Sequence, residues 1–262
     1  MKKGLILSFC FIFVLAIFSI TLLNTKTTDI KGSYNRKFKD HVVFYPQHQD
    51  DEVLWAGSAI VKALKECGED NVYVVLVSDG SGVNVFNSMR FKNLSRKEKQ
   101  NLRDAEFKAA LKDLGVKNSN IIILPNIDKK VGSHFELLEK VMLGFENKFN
   151  SNVTHIAHHY EYDDHPMHRK NGLVLKNLKD ENKIKDCLYF IKPKYIKDVP
   201  AKYRVIYTAD NKLEYNKIER ACNEYKLIDV DNKRFGIGYI SAHSYFDHLL
   251  KDPKLTSILS IK

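Results

Sequence analysis

From residue 41 onward the chain alternates between apolar runs and helical periodicity. Val42–Tyr45 is a short apolar run. Asp51–Glu66 then carries Val53, Leu54, Ala56, Ile60, Val61 and Leu64 at helical spacing, with Gly68 as a stop. Val72–Val77 is a continuous apolar run of the kind that forms a buried parallel strand, and Ser78–Gly82 is a loop. Arg96–Leu114 is a long, charged amphipathic helix ended by Gly115. Ile121–Leu124 reads as a third strand, Phe135–Phe149 as a helix, Val153–Ala157 as a fourth strand and Met167–Leu178 as a helix. Lys202–Tyr207, Lys212–Tyr225 and Ile237–Leu250 read as strand, helix and helix.

This order predicts an α/β fold: a doubly wound, mostly parallel sheet of Rossmann-like order with helices on both faces. In such an order the first and fourth strands are neighbours, and sites form beyond the carboxyl ends of the strands at the switch point. Both clusters of chemically active residues in this chain follow those two strands. His48-Gln49-Asp50-Asp51-Glu52 closes the first, and His165-Pro166-Met167-His168 follows the fourth.

The N-terminal segment has a different character. Lys2-Lys3 precede Gly4–Leu23, an uncharged stretch of 20 residues, long enough to cross a bilayer as a helix. No small-residue cleavage site follows, so an uncleaved anchor over residues 1–25 is expected, and secretion if the segment is cut. Residues 26–40 read as a polar linker and residues 41–262 as one catalytic domain. Lys2-Lys3 favour a cytoplasmic N-terminus with the domain exported, whereas Lys26, Lys31, Arg36, Lys37 and Lys39 count for the opposite topology. Export is preferred, because a short charged end is hard to translocate.

Composition changes this picture little. The chain has 262 residues, 44% of them hydrophobic and 28% charged, as expected of a globular protein with one sizeable core. The four cysteines are too few for a disulfide framework and lack C-x-x-C spacing. The net charge is +10, with basic residues spread along the chain. That suits a solvated surface or attraction to anionic lipids and wall polymers, and no nucleic-acid motif accompanies it.

The two clusters carry the chemistry. His48 and Asp51, three apart across a strand-to-helix turn, can aim at one point, with His168 as a third ligand. Two imidazoles and one carboxylate leave an open position on a catalytic zinc, although such a donor set accepts other divalent metals. Asp50 is then free to act as base, and His165 as acid or oxyanion partner. Of the adjacent His158 and His159, strand alternation lets at most one face the site. His155 is expected to be structural, and Asp163 and Asp164 are candidate partners of the ligands.

These motifs resemble those of the PIG-L/LmbE-like zinc deacetylases. His48–Glu52 is similar to the family's H-P-D-D-E signature and His165–His168 to its H-P-D-H motif. Val77–Gly80 resembles a T-D-G loop, and Arg103–Glu106 with Leu114-Gly115-Val116 an R-x-x-E…L-G-V helix. Ala242-His243-Ser244 weakly resembles the family's C-terminal stretch. The resemblance implies a Rossmann-like enzyme that removes N-acetyl groups from GlcNAc units. It assigns zinc to His48, Asp51 and His168, the base to Asp50 and the oxyanion to His165. Asp79, Arg103 and His243 are candidates for substrate contact. Gln49 replaces the family proline, which should loosen the turn, and Met167 replaces an aspartate beside the metal histidine, which should cost that ligand a partner. The substrate expected of an exported, tethered domain is a GlcNAc-containing surface glycan or glycolipid. The alternatives are a zinc amidase or esterase on a non-sugar substrate, and a silent glycan-binding protein of the same fold.

Overall fold

The computed structural model describes Ser33, Tyr34 and residues 36–262. The expected membrane anchor lies outside the described residues. Among those residues no helix is long and apolar enough to cross a membrane.

In chain order the elements are β1 (Ser33–Tyr34), β2 (His41–Phe44), α1 (Asp51–Cys67), β3 (Val72–Leu76), α2 (Arg96–Leu114), β4 (Ile121–Ile123) and α3 (Leu124–Asp128). Then follow α4 (Phe135–Lys148), β5 (Val153–His158), α5 (Pro166–Asp180), β6 (Cys187–Phe190), β7 (Arg204–Tyr207) and α6 (Lys212–Glu224). The chain ends with the hairpin β8 (Ile228–Asp229) and β9 (Arg234–Phe235), α7 (Ile237–Lys251) and β10 (Ser257–Ser260). Eight strands form one sheet in the order β1-β7-β10-β6-β5-β2-β3-β4. The run from β4 to β6 is wholly parallel and follows the Rossmann-like order, with β2 paired directly to β5. β10 departs from it by running antiparallel between β6 and β7, so the sheet is mixed.

Side-chain alternation along the central strands splits the core in two. Val42 and Phe44 of β2 point into a cluster with Val53, Ala56 and Ile60 of α1 and Phe107 and Leu111 of α2. Val43 and Tyr45 face the other way, against Leu138 and Met142 of α4 and Leu175 of α5. Near-continuous apolar strands are what a sheet covered on both faces requires.

Local signals set most helix ends. Ser95 and Glu98 cap each other at the start of α2, and Gly115, at φ 101°, ends it in a conformation that suits glycine. Leu124, expected to end a strand, instead opens α3, because Pro125 stands in the first turn, where a missing N–H costs nothing. Likewise β7 begins only at Arg204, after a single 3-10 turn over Ala201–Tyr203.

Candidate active site

β2 runs out of its ladder at Phe44, and the chain turns through Pro46–Asp50 into α1. The turn is stitched to the next strand by Val77 N–H on Pro46 O (3.1 Å) and Ser78 N–H on Gln47 O (3.0 Å). Asp50 sits at φ 123°, a backbone region that side chains rarely adopt and that costs on the order of 1–3 kcal/mol. Its N–H is taken by Glu52 Oε2 at 3.0 Å. Glu52 is wholly buried and also accepts from the Tyr225 hydroxyl, and burial pushes its pKa up to about 8. Glu52 therefore braces the turn from below. Gln49 does not loosen it, contrary to expectation. Its side chain is buried and donates to Asp79 O (3.2 Å) and to Asp104 Oδ1 (2.9 Å), tying the turn to the next loop and to α2. Gly80 is the counterpart: a Cβ there would lie 2.0 Å from Gln49 Oε1.

α5 brings the second cluster to the same point. It crosses the end of β5 so closely that a Cβ on Gly172 would lie 2.2 Å from His158 O. One turn earlier, His168 faces the β2–α1 turn. His48 Nδ1 and His168 Nε2 are 3.0 Å apart, and each lies 3.4 and 3.3 Å, respectively, from Asp51 Oδ2. Two donors each about 2.0–2.1 Å from a tetrahedral zinc would be about 3.3–3.4 Å apart, so the three atoms fit one such ion. Asp51 is oriented by Trp55 Nε1–H on Oδ1 (2.9 Å) and by the His48 N–H on Oδ2 (2.8 Å).

His168 keeps a partner despite Met167. Its Nδ1 lies 3.0 Å from Asp163 Oδ2, which fixes the proton on Nδ1 and leaves the Nε2 lone pair for a metal. Asp163 also accepts from His165 N–H (2.8 Å) and from the buried Lys192 ammonium (2.8 Å). Burial opposes its charge, but the neighbouring His158 and His168 outweigh that and hold its carboxyl far below the ordinary range. The expected cost of the Met167 departure is thus absorbed by Asp163, from the loop that precedes α5.

Asp50 and His165 flank this centre. Asp50 is buried, and Arg103 Nη2 lies 3.0 Å from its Oδ2. Burial raises the Asp50 pKa, partly offset by Arg103, to about 6. Desolvation within the histidine cluster, then the neighbouring His168 and His48, lower that of His165 to about 4. His165 is therefore a neutral imidazole near pH 7. Its Nδ1 accepts Met167 N–H at 3.3 Å, so its proton sits on Nε2, which can donate. His48 and His165 line a cavity of about 860 Å³ together with Asp79, Arg96, Val83, Val85 and Ile240.

Of the candidates for substrate contact, Asp79 lines this cavity. Arg103 is buried, is absent from the cavity wall and pairs with Asp50. His243 lies exposed on α7 and is absent from the cavity wall, where Ile240 and Ser241 stand instead. A motif match located α2 and α7 but not the direction of these side chains.

Of the histidine pair that the sequence left open, His158 is the one that faces the centre. His158 is buried under the centre with Nε2 3.2 Å from Asp51 Oδ2, and its ring stacks on His168 at 3.9 Å. His48, His165 and His168 form one possible donor set, and His158 forms another with Asp51 and His168. However, the Gln47 N–H points at the same Nε2 (3.1 Å), and all three residues of that set are buried. The set with His48 is the one that opens on the cavity. Alternation along β5 does separate the histidine pair, since His159 instead bonds Lys262 O at 2.8 Å. Trp55 and Lys192 carried no signal at all, the latter because β6, which delivers it, has only four residues.

The family model for PIG-L, described as GlcNAc-PI de-N-acetylase, matches residues 42–178, slightly more than half of the chain. The chain belongs to this family. Among solved structures it is similar to an N,N'-diacetylchitobiose deacetylase from Pyrococcus horikoshii, with a TM-score of 0.55 and 16% identity over 94% of this chain and 92% of that one. It is also similar to an antimicrobial-reagent pseudoaglycone deacetylase (TM-score 0.55, 14% identity, 85% and 97% covered). A conserved protein from Thermus thermophilus gives a TM-score of 0.50 at 14% identity, with 81% and 85% covered. At these identities the likeness is one of fold. No curated protein matches by sequence.

Proposed function

We propose that this chain is a metal-dependent N-deacetylase that cleaves the acetamide of a GlcNAc-containing surface glycan or glycolipid. The observation that carries it is the triangle of His48 Nδ1, Asp51 Oδ2 and His168 Nε2, with edges of 3.0–3.4 Å, next to the buried Asp50 carboxylate that Arg103 holds, with His48 lining the adjoining cavity. Family membership supports hydrolysis of an N-acetyl group, and the glycan-deacetylase neighbours support a saccharide. Zinc is the metal proposed, on two nitrogens and one carboxylate at tetrahedral spacing. Bound there, it would polarise the acetamide carbonyl and acidify water.

The protein's own groups supply the proton transfers. Asp50 takes a proton from the water as its oxygen attacks the carbonyl carbon. The His165 Nε2–H donates to the carbonyl oxygen as negative charge grows there. When the C–N bond breaks, the departing nitrogen takes the proton that Asp50 holds, so amine and acetic acid leave, the acid gives its proton to solvent, and Asp50 is again a carboxylate. Arg103 keeps Asp50 fixed throughout and limits how far its pKa rises.

We further propose that the Gly4–Leu23 segment tethers the enzyme with its site outside the membrane. The uncharged span without a cleavage site supports this reading. Acetate release by the full chain from wall fractions, glycolipids and GlcNAc oligomers tests the activity, and protease accessibility on intact protoplasts tests the topology. No release from any of them would remove the saccharide reading; a protease-protected domain would reverse the orientation.

A further inference from the structure

Beyond Arg96 the catalytic cavity adjoins a second cleft of about 360 Å³. Asp79 and Arg96 line both, so the two share a wall. The second cleft gathers Arg96, Lys97, Lys129 and Lys130 around a single carboxylate, Asp79. We propose that it binds an anionic group, a phosphate or a carboxylate, carried by the same glycan whose acetamide lies in the catalytic cavity. This rests on the deacetylase reading above.

The charge in the cleft is only partly neutralised internally. Asp79 is saturated: Oδ1 accepts from Ser81 N–H (3.0 Å) and Ser81 Oγ (2.9 Å), and Oδ2 from Arg96 Nε (2.7 Å) and Gly132 N–H (3.2 Å). It offsets Arg96 and has nothing left for the lysines. Lys97 is oriented by two neutral carbonyl oxygens, Asn126 Oδ1 at 2.7 Å and Gln100 Oε1 at 3.2 Å, which position its ammonium without cancelling it. Lys130 lies 3.7 Å from Asp128, a carboxylate also engaged by His134, and its side chain is 74% exposed. Lys129 has no ion-pair partner among the described residues and sits at φ 59°, where the C-terminal turn of α3 presents it beside Lys130. Solvated lysines are usually scattered over convex surface; these line a concavity that shares Asp79 and Arg96 with the catalytic cavity. An oxyanion is the ligand that several cations on a concave wall recognise.

The test compares three sugars on the full chain: GlcNAc 1-phosphate, a GlcNAc–glucuronate disaccharide and the neutral methyl glycoside of GlcNAc. Affinity is read by calorimetry for the unmodified protein and for the Lys129→Ala/Lys130→Ala variant. At least one anionic sugar should bind about tenfold tighter than the neutral one at low salt, and which one it is identifies the anion. The advantage should shrink at about 0.5 M salt, where exposed charges are screened, and fall about tenfold in the variant. Equal affinities for all three sugars, or an anionic preference that survives in the variant, overturn the cleft. Acetate release from the same sugars reports separately on the deacetylase reading. Binding with a lysine-dependent preference but no release would retain the cleft and remove the deacetylase.

Discussion

Replacing Asp163 with asparagine should weaken the metal centre without touching a ligand. The Asp163 carboxylate receives His168 Nδ1 at 3.0 Å on one oxygen, and Lys192 Nζ and the His165 N–H, each at 2.8 Å, on the other. All are donors. An asparagine amide offers one acceptor oxygen and one NH₂, so either His168 or Lys192 must face a donor. A hydrogen bond to a charged group contributes about 1.5–3 kcal/mol. At 1.4 kcal/mol per tenfold, that is roughly 10- to 150-fold in affinity. Independent experience with the partners of metal-bound histidines gives about 10–100-fold. Zinc affinity of Asp163→Asn, measured by competition with a chromophoric chelator, should fall within that span, with circular dichroism checking the fold. Adding Lys192→Met, which removes the stranded cation, should restore part of it. An affinity within about twofold of the original protein would refute the role of Asp163 in aiming His168.

Elemental analysis should find one zinc per chain, lost in His48→Ala and His168→Ala and largely kept in His158→Ala; metal lost only in the last would move the centre to the buried set. Gly172→Ala should lower the melting temperature markedly and reduce metal retention, because its Cβ would overlap His158 O and push α5 away; an unchanged melting temperature would contradict the close approach. Buried Glu146 accepts from His155 Nε2 (2.9 Å) and Lys185 N–H (3.0 Å). Burial opposes its charge, but these bonds hold its pKa below the ordinary value. Its stabilisation is therefore present above about pH 4.3, the unfolded value, and lost as pH falls through the depressed one; Glu146→Gln should flatten that acid limb of a denaturation series, and an unaltered limb would assign it elsewhere.

The site was legible because topology and motif converge. Once the apolar runs are taken as parallel strands in doubly wound order, β2 and β5 must be neighbours, and the residues after each must meet. Periodicity alone located α1, α2 and α4 to within a residue or two. It failed at β6 and β10, four residues each, which are too short to show a period, and β10 runs antiparallel where every earlier pairing suggested parallel. Within the site, what the sequence left hidden is of another kind. Arg103 and His243 lie on correctly placed helices, but one is drawn inward by Asp50 and the other exposed. Gln49 and Met167 looked like losses because a motif compares positions, whereas the fold compensates through space, with Asp104 and Asp163.

In the proposed reaction Asp50 serves as the proton acceptor beside a metal held by His48, Asp51 and His168. Asp50→Asn is nearly isosteric, can still take a hydrogen bond from Arg103, and cannot accept the proton. The most direct measurement is zinc content together with acetate release from a GlcNAc oligomer by this variant. Full zinc occupancy is expected, with turnover reduced by about 10²–10⁴-fold. Loss of zinc would make Asp50 a ligand, and full turnover with zinc retained would place the base elsewhere.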